Sequence, residues 1–326
     1  MIAIRRADGD AVERVVESIR RYWKQGHIFV RDRAFFTYEM QGFGELQFLL
    51  AEEEGHIAGL VGYIPYDPAL ENADVFLVLL RVRDEYAKSG LGMKLLKACK
   101  ALSPTAATHT VGVRPEVIAL YALMGFKTGT MDHLYWIDTS LSSHHLVEAH
   151  CAPGDFEPAT PPPSFAIRMD APTHSLFERC AQNYRPYKSH AYFEKRYLRH
   201  PIHDYRFITT FDADGQAIAV LREVVHQGAK ALRIIDMIGE AHYLSALCRA
   251  SFAKAKDIGA EYVDLYCAGP SPALFVRAGM RLNDGRDIVP NYFAPFTKDN
   301  IALTFATTAQ ENFRLFRGDG DQDRPA

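Results

Sequence analysis

Residues 84–100 read DEYAKSGLGMKLLKACK, a glycine turn set between the apolar run VFLVLL of residues 75–80 and an amphipathic helix. This junction constrains the fold more than any other stretch. A strand that enters a helix through Gly90 and Gly92 leaves the first N–H groups of that helix bare, with the positive end of the helix dipole behind them. Such a turn is a plain strand-to-helix connection, a phosphate cradle or a nucleotide loop. No GK[ST] follows, which removes a Walker-type loop, and a dinucleotide fold wants its GxGxxG near the chain start.

The flanking pattern extends the reading. Residues 11–21 carry apolar side chains at helical spacing, and residues 35–40 predict a second short helix. Residues 47–67 predict two strands joined at EEEG, and the mostly apolar run 74–82 predicts an interior strand. Beyond the turn come a helix to about residue 102, a strand at 108–113, a helix at 115–124 begun by a proline at its first position, and a strand after Gly125. A second stretch repeats this order: a hairpin over 206–211 and 217–225 around DADG, a strand at 231–238, a helix at 242–257, a strand at 261–267 and a helix from Pro272. LYALMGF at 120–126 aligns without gaps on LFVRAGM at 274–280, which points to an internal duplication of about 150 residues.

Proline, serine, histidine and small residues dominate 138–164, and the TPPP of 160–163 favours extended polyproline geometry. The expected organisation is a mixed α/β chain of two units, 1–137 and 165–310, with 138–164 as linker and 311–326 as a polar tail. A length of 326 residues suits two domains, and 48% hydrophobic content is ample for two cores. Against 40 Asp and Glu stand 37 Lys and Arg, a balance of −3 that lacks the basic footprint of a nucleic-acid binder. Cys99, Cys151, Cys180, Cys248 and Cys267 are scattered, with no zinc spacing, and read as reduced thiols. The start MIAIRRADGD has no signal-peptide core, and no apolar run approaches a membrane span. The expectation is a cytoplasmic protein without a metal.

The series strand, SGLG turn, helix, strand and LYxxxGF resembles the GCN5-related N-acetyltransferase (GNAT) superfamily, and the first unit matches it over most of its length. The resemblance implies that the turn, Q/R-x-x-G-x-G/A in that family, holds the pyrophosphate of acetyl-CoA. The six positions are Ala87, Lys88, Ser89, Gly90, Leu91 and Gly92. Ala87 departs from the pattern, leaving Lys88 or Lys94 to supply charge. Leu80, Val82 and Met93 complete the expected cofactor-binding set, with the amides of the fourth strand on the thioester carbonyl. The resemblance also implies that Tyr121 protonates the departing thiolate, against the alternative of a packing tyrosine. Phe275 replaces it in the second copy, whose GEAHYLSAL also lacks paired glycines, so the second unit is expected to have lost the cofactor.

The general base stays open between His27, Asp74 and Asp67. Trp23 and Arg31 are expected to bind the acceptor from the first unit. In the second, the segment NYRPYKSHAYFEKRYLRHPIHDYRF offers Arg196, His200 and His203 as a clamp for a diphosphate and base, or else a solvated amphipathic helix. Asp319, Asp321 and Asp323 alternate in the tail without the closure of a calcium loop, and read as a surface tail or as contacts to an acceptor amine. Together HIFVRDRAFFTYEM, IPYD and GDGDQDRP are similar to tandem acetyltransferase-like proteins of bacterial surface-polysaccharide gene clusters, which implies an amino-sugar acceptor, nucleotide-linked or free. A Fem-like aminoacyl transferase and a non-catalytic acyl-CoA sensor or scaffold are the competing readings.

Overall fold

The run 74–82 forms an interior strand, and the chain on either side of it folds much as its periodicity predicts. The computed structural model describes residues 2–102, 104–152, 154–159 and 165–325. Its first half forms β1 (Ala3–Arg6), α1 (Val12–Tyr22), α2 (Ile28–Arg31), α3 (Arg33–Gln41), β2 (Phe48–Glu53), β3 (His56–Pro65), β4 (Val75–Val82), α4 (Leu91–Leu102), β5 (Thr108–Val111), α5 (Pro115–Leu123), β6 (Lys127–Thr130) and β7 (Asp132–Ile137). The second half forms β8 (Ala166–Arg168), α6 (His174–Glu178), α7 (His190–Phe193), β9 (Tyr205–Phe211), β10 (Gln216–His226), β11 (Ala229–Gly239), α8 (Ala241–Ile258), β12 (Ala260–Ala268), α9 (Pro272–Val276), β13 (Arg281–Leu282), the small hairpin β14 (Tyr292–Phe293) and β15 (Phe296–Thr297), then β16 (Thr304–Thr307) and β17 (Leu315–Phe316). Among the described residues no helix is long and apolar enough to cross a membrane.

Local chemistry sets the boundaries. Glu54 and Gly55 both take positive φ, 52° and 81°, as a two-residue hairpin between β2 and β3 requires. The Asp32 side chain caps α3 through the Phe35 amide at 2.8 Å. Prolines open α5 and α9, and α8 ends on Gly259 in the left-handed region.

The two sheets share one strand order. The first runs β1-β2-β3-β4-β5-β16-β6, and the second, read from β8, runs β8-β9-β10-β11-β12-β7-β13. Each half therefore donates one strand to the other. β16 comes from near the carboxyl end and lies between β5 and β6, with Phe305 opposite Val111 and Gly129. β7 crosses the other way, between β12 and β13, where Leu134, Tyr135, Trp136 and Ile137 enter the core around α8. The expected boundary at residue 138 thus places 132–137 in the wrong sheet. Alternating or continuous apolar residues mark a strand without naming its partner.

Two further expectations are corrected. Residues 138–152 are not a loose linker: Glu261 accepts the amides of His145 and Leu146 at 2.7 and 2.8 Å, Asp287 accepts that of His150 at 2.7 Å, and Leu146 and Val147 are buried. The polyproline stretch 160–163 and Ser164 lie outside the described residues. The tail is no surface appendage, because Asp319 and Asp323 are wholly buried between the two halves.

Candidate active site

β4 and β5 pair in parallel at Val75–Thr108 and Phe76–His109, and the described ladder goes no further. At the next residues β4 also bulges, its pairing with β3 skipping Val78 between Leu77 and Leu79. The strands diverge into a cavity of about 210 Å³, lined by 77–81 of β4, 110–114 beyond and within β5, Val117 and Tyr121 of α5, Trp23, and Asp321 from the tail. A splayed parallel pair leaves amides and carbonyls of the strand edge free for a ligand.

The glycine turn is outside that lining and approaches it through Val82 and Leu120, the chain neighbours of the lining residues Arg81 and Tyr121. Gly90 has φ of 74°, which a side chain rarely adopts, and Gly92 opens α4 against Val82 and Leu120. Ala87, Lys88 and Ser89 are exposed, and the Ser89 hydroxyl donates to the Tyr86 carbonyl at 2.7 Å. Leu91, Gly92 and Met93 form the first turn of a helix twelve residues long, so their amides have no partner within it. Of the expected cofactor set Leu80 lines the cavity, and Val82 packs against the core cluster that includes Leu91 and Tyr121.

Tyr121 is 4% exposed, edge-on to Phe126 at 5.2 Å, and lines the same cavity. Burial, with Cys99 and Asp321 nearby, pushes its phenol well above the ordinary range, so it keeps its proton at neutral pH. Trp23, 40% exposed, stands at the cavity's rim, where Arg81 reaches the Tyr22 carbonyl at 3.1 Å.

Other expected residues have structural work instead. The Nδ1 of His27 caps α2 by accepting the Phe29 amide at 3.2 Å, and burial, with Arg324 nearby, lowers its pKa to about 3. A ring so hard to protonate is a poor base. Asp74 sits at the start of β4, away from the turn, where its carboxylate accepts the Ala107 and Tyr187 amides at 2.7 and 3.1 Å and pairs with Arg185. Asp67 caps the Ala69 amide, and Arg31 lies exposed on α2, outside the cavity lining.

The second-unit clamp holds this chain's own tail. Arg196 is buried, reaches Glu39 of α3 at 3.4 Å and donates to the carbonyls of Gly318 and Gly320 at 3.4 and 3.1 Å. His200 caps the Ile202 and His203 amides, and burial with Arg196 lowers its pKa to about 3. His203 rests on Arg222, which pairs with Asp323, and burial with that arginine lowers it to about 4. Lys188 bridges Asp236 at 2.7 Å and Asp319 at 2.8 Å with all three side chains buried. The segment read as a diphosphate clamp is therefore occupied from within.

The tail also fills the opening of the second sheet that corresponds to the cavity of the first. β17 pairs with β12 at Cys267–Phe316 and Ala268–Leu315, and the Gly318 amide donates to the Ile235 carbonyl of β11 at 2.9 Å. A Cβ at Gly318 would overlap the Tyr197 hydroxyl, so only glycine lets the tail pass. Beside this plug a cavity of about 750 Å³ remains, lined by Ala241, Ser271 and 310–314. At its helix the N-cap residue is Glu240, whose carboxylate opposes a diphosphate.

Comparison with known proteins bears on the fold. Residues 12–126 match the model of the acetyltransferase (GNAT) family. No curated protein matches the chain. The GCN5-related N-acetyltransferase of Anabaena variabilis superposes with a TM-score of 0.57 at 12% identity, covering 94% of this chain and 72% of its own. That of Kribbella flavida gives 0.57 at 10%, covering 94% and 70%. The chain thus has the fold of these proteins over nearly its whole length, and its residues 12–126 carry the match to the acetyltransferase (GNAT) family.

Proposed function

We propose that the first unit binds acyl-CoA at the β4–β5 opening and transfers the acyl group, in the cytoplasm where acyl-CoA is found, to a primary amine of a small molecule. The observation that carries this reading is the diverging strand edge with Tyr121 in one cavity, and the bare glycine turn set against Val82 and Leu120, next in the chain to the lining residues Arg81 and Tyr121. The amides of Leu91, Gly92 and Met93 suit a diphosphate, and free amides of β4 suit the thioester carbonyl. The amine attacks that carbon, the C–S bond breaks, and the Tyr121 phenol supplies the thiolate's proton. Burial raises the proton affinity of a thiolate in the same cavity, so a phenol of raised pKa remains a competent donor.

An amino sugar, free or nucleotide-linked, is the acceptor class proposed first, since Trp23 offers an aromatic face at the rim. The occupied second-unit clamp removes the argument for a nucleotide there. Acetyl-CoA should bind with one site per chain by calorimetry, and thiol release with mass spectrometry of the products should show acylation of one of a panel of amino sugars, UDP-, GDP- and dTDP-amino sugars, amino acids and polyamines. Two equivalent sites, or no binding, would sink the reading.

A further inference from the structure

The three aspartates of the tail differ in one respect. Asp319 and Asp323 have fully buried side chains, held by Lys188 and by Arg222 and Tyr205, whereas the Asp321 side chain is 28% exposed and lines the cavity that holds Tyr121. Its position is fixed from both sides. Upstream, Gly318 and Gly320 are held by Arg196, and downstream Arg324 lies over the Phe29 ring at 4.7 Å. We propose that Asp321 is the general base of acyl transfer and that the acceptor is an amine arriving as its ammonium ion, an inference that rests on the acyltransferase reading.

Charge and placement support the role. Facing Asp321 are Arg324 at 3.3 Å, the Gln322 side chain at 3.3 Å, the Tyr121 phenol and Arg196, with Arg81 and Arg114 on the cavity wall. Burial pushes its carboxyl above the usual range while Arg324 holds it down, which makes it a better proton acceptor than an ordinary aspartate. In the reaction Asp321 takes one proton from R–NH₃⁺. The freed lone pair forms the C–N bond at the thioester carbon, the C–S bond breaks, and Tyr121 gives its proton to the thiolate. The second nitrogen-bound proton leaves as the adduct collapses and restores the phenol. The products are the amide, CoA thiol and one proton, passed from Asp321 to solvent.

The test compares the full chain with Asp321→Asn and Asp321→Glu, measuring acetyl-CoA affinity by calorimetry, melting temperature, and thiol release against pH with the amines named above and with water as the basal nucleophile. Asp321→Asn should keep acetyl-CoA affinity within about twofold, lose about 10²-fold or more in rate and lose the ascending limb of the pH profile. Asp321→Glu should retain that limb. A folded Asn variant with the wild-type rate or limb overturns the proposal. Wild-type protein that binds acetyl-CoA but transfers to no amine and to no water overturns it as well, and protein that fails to bind acetyl-CoA overturns the acyltransferase reading first.

Discussion

Tyr121 and Phe275 hold matching places on α5 and α9, both buried, and differ by one hydroxyl. In the first half the ring lines an open cavity, and in the second it packs into the core around α8. Tyr121→Phe keeps the ring and its edge-on contact with Phe126. Turnover should fall by about 10²–10⁴-fold with acetyl-CoA affinity and melting temperature nearly unchanged, the signature of a group used in the transition state alone. A Phe variant with full activity would leave Tyr121 as a packing residue. Sequence spacing identified this position, and it offered Asp321 only as one of three alternating aspartates in a surface tail or beside an acceptor amine, because the cavity that singles it out is built by residues about 200 positions earlier.

At the scale of elements, α4 and α8 are counterparts that meet their strands differently. α4 begins on a glycine turn at an open strand edge, while α8 follows Glu240 beside an edge already closed by β17. A Cβ on Gly92 would make only ordinary contacts, at 3.8 Å to Val82 and 3.9 Å to Leu120, so a side chain there is accommodated by the fold. Gly92→Val should therefore stay folded yet weaken acetyl-CoA binding by about tenfold or more, because the branched side chain keeps a diphosphate away from the backbone. Unchanged affinity in calorimetry would move the cofactor's diphosphate off this turn.

The whole molecule is held by exchange. β7 and β16 cross between the sheets, and the tail then runs through the gap, closing the second opening with β17 and entering the first with Asp321. At its centre Lys188 neutralises Asp236 and Asp319. Burial works against the charge on this ammonium, yet the two carboxylates outweigh it and its pKa is raised. Lys188→Met would leave those carboxylates buried without their cation, and should cost about 3–5 kcal/mol of stability in denaturant unfolding. Adding Asp236→Asn should recover part of the loss, and a single variant as stable as wild type would show that the cluster does not hold the tail.

The sequence by itself determined the local features of this protein: the interior strand at 75–82, the glycine turn, the capped helices and the repeated order of elements, all of which follow from periodicity and turn chemistry within a dozen residues. Tertiary structure alone decided which sheet took β7 and β16, and which charges met. Arg196, His200 and His203 had the composition of a ligand clamp, but the chain's own tail supplied the partners. The physical reason is range. Backbone geometry and hydrophobic spacing act between near neighbours and are written in order along the chain, whereas strand pairing and buried charge pairing are satisfied by whatever segment the fold brings close, and alternatives of equal local merit are separated only by packing.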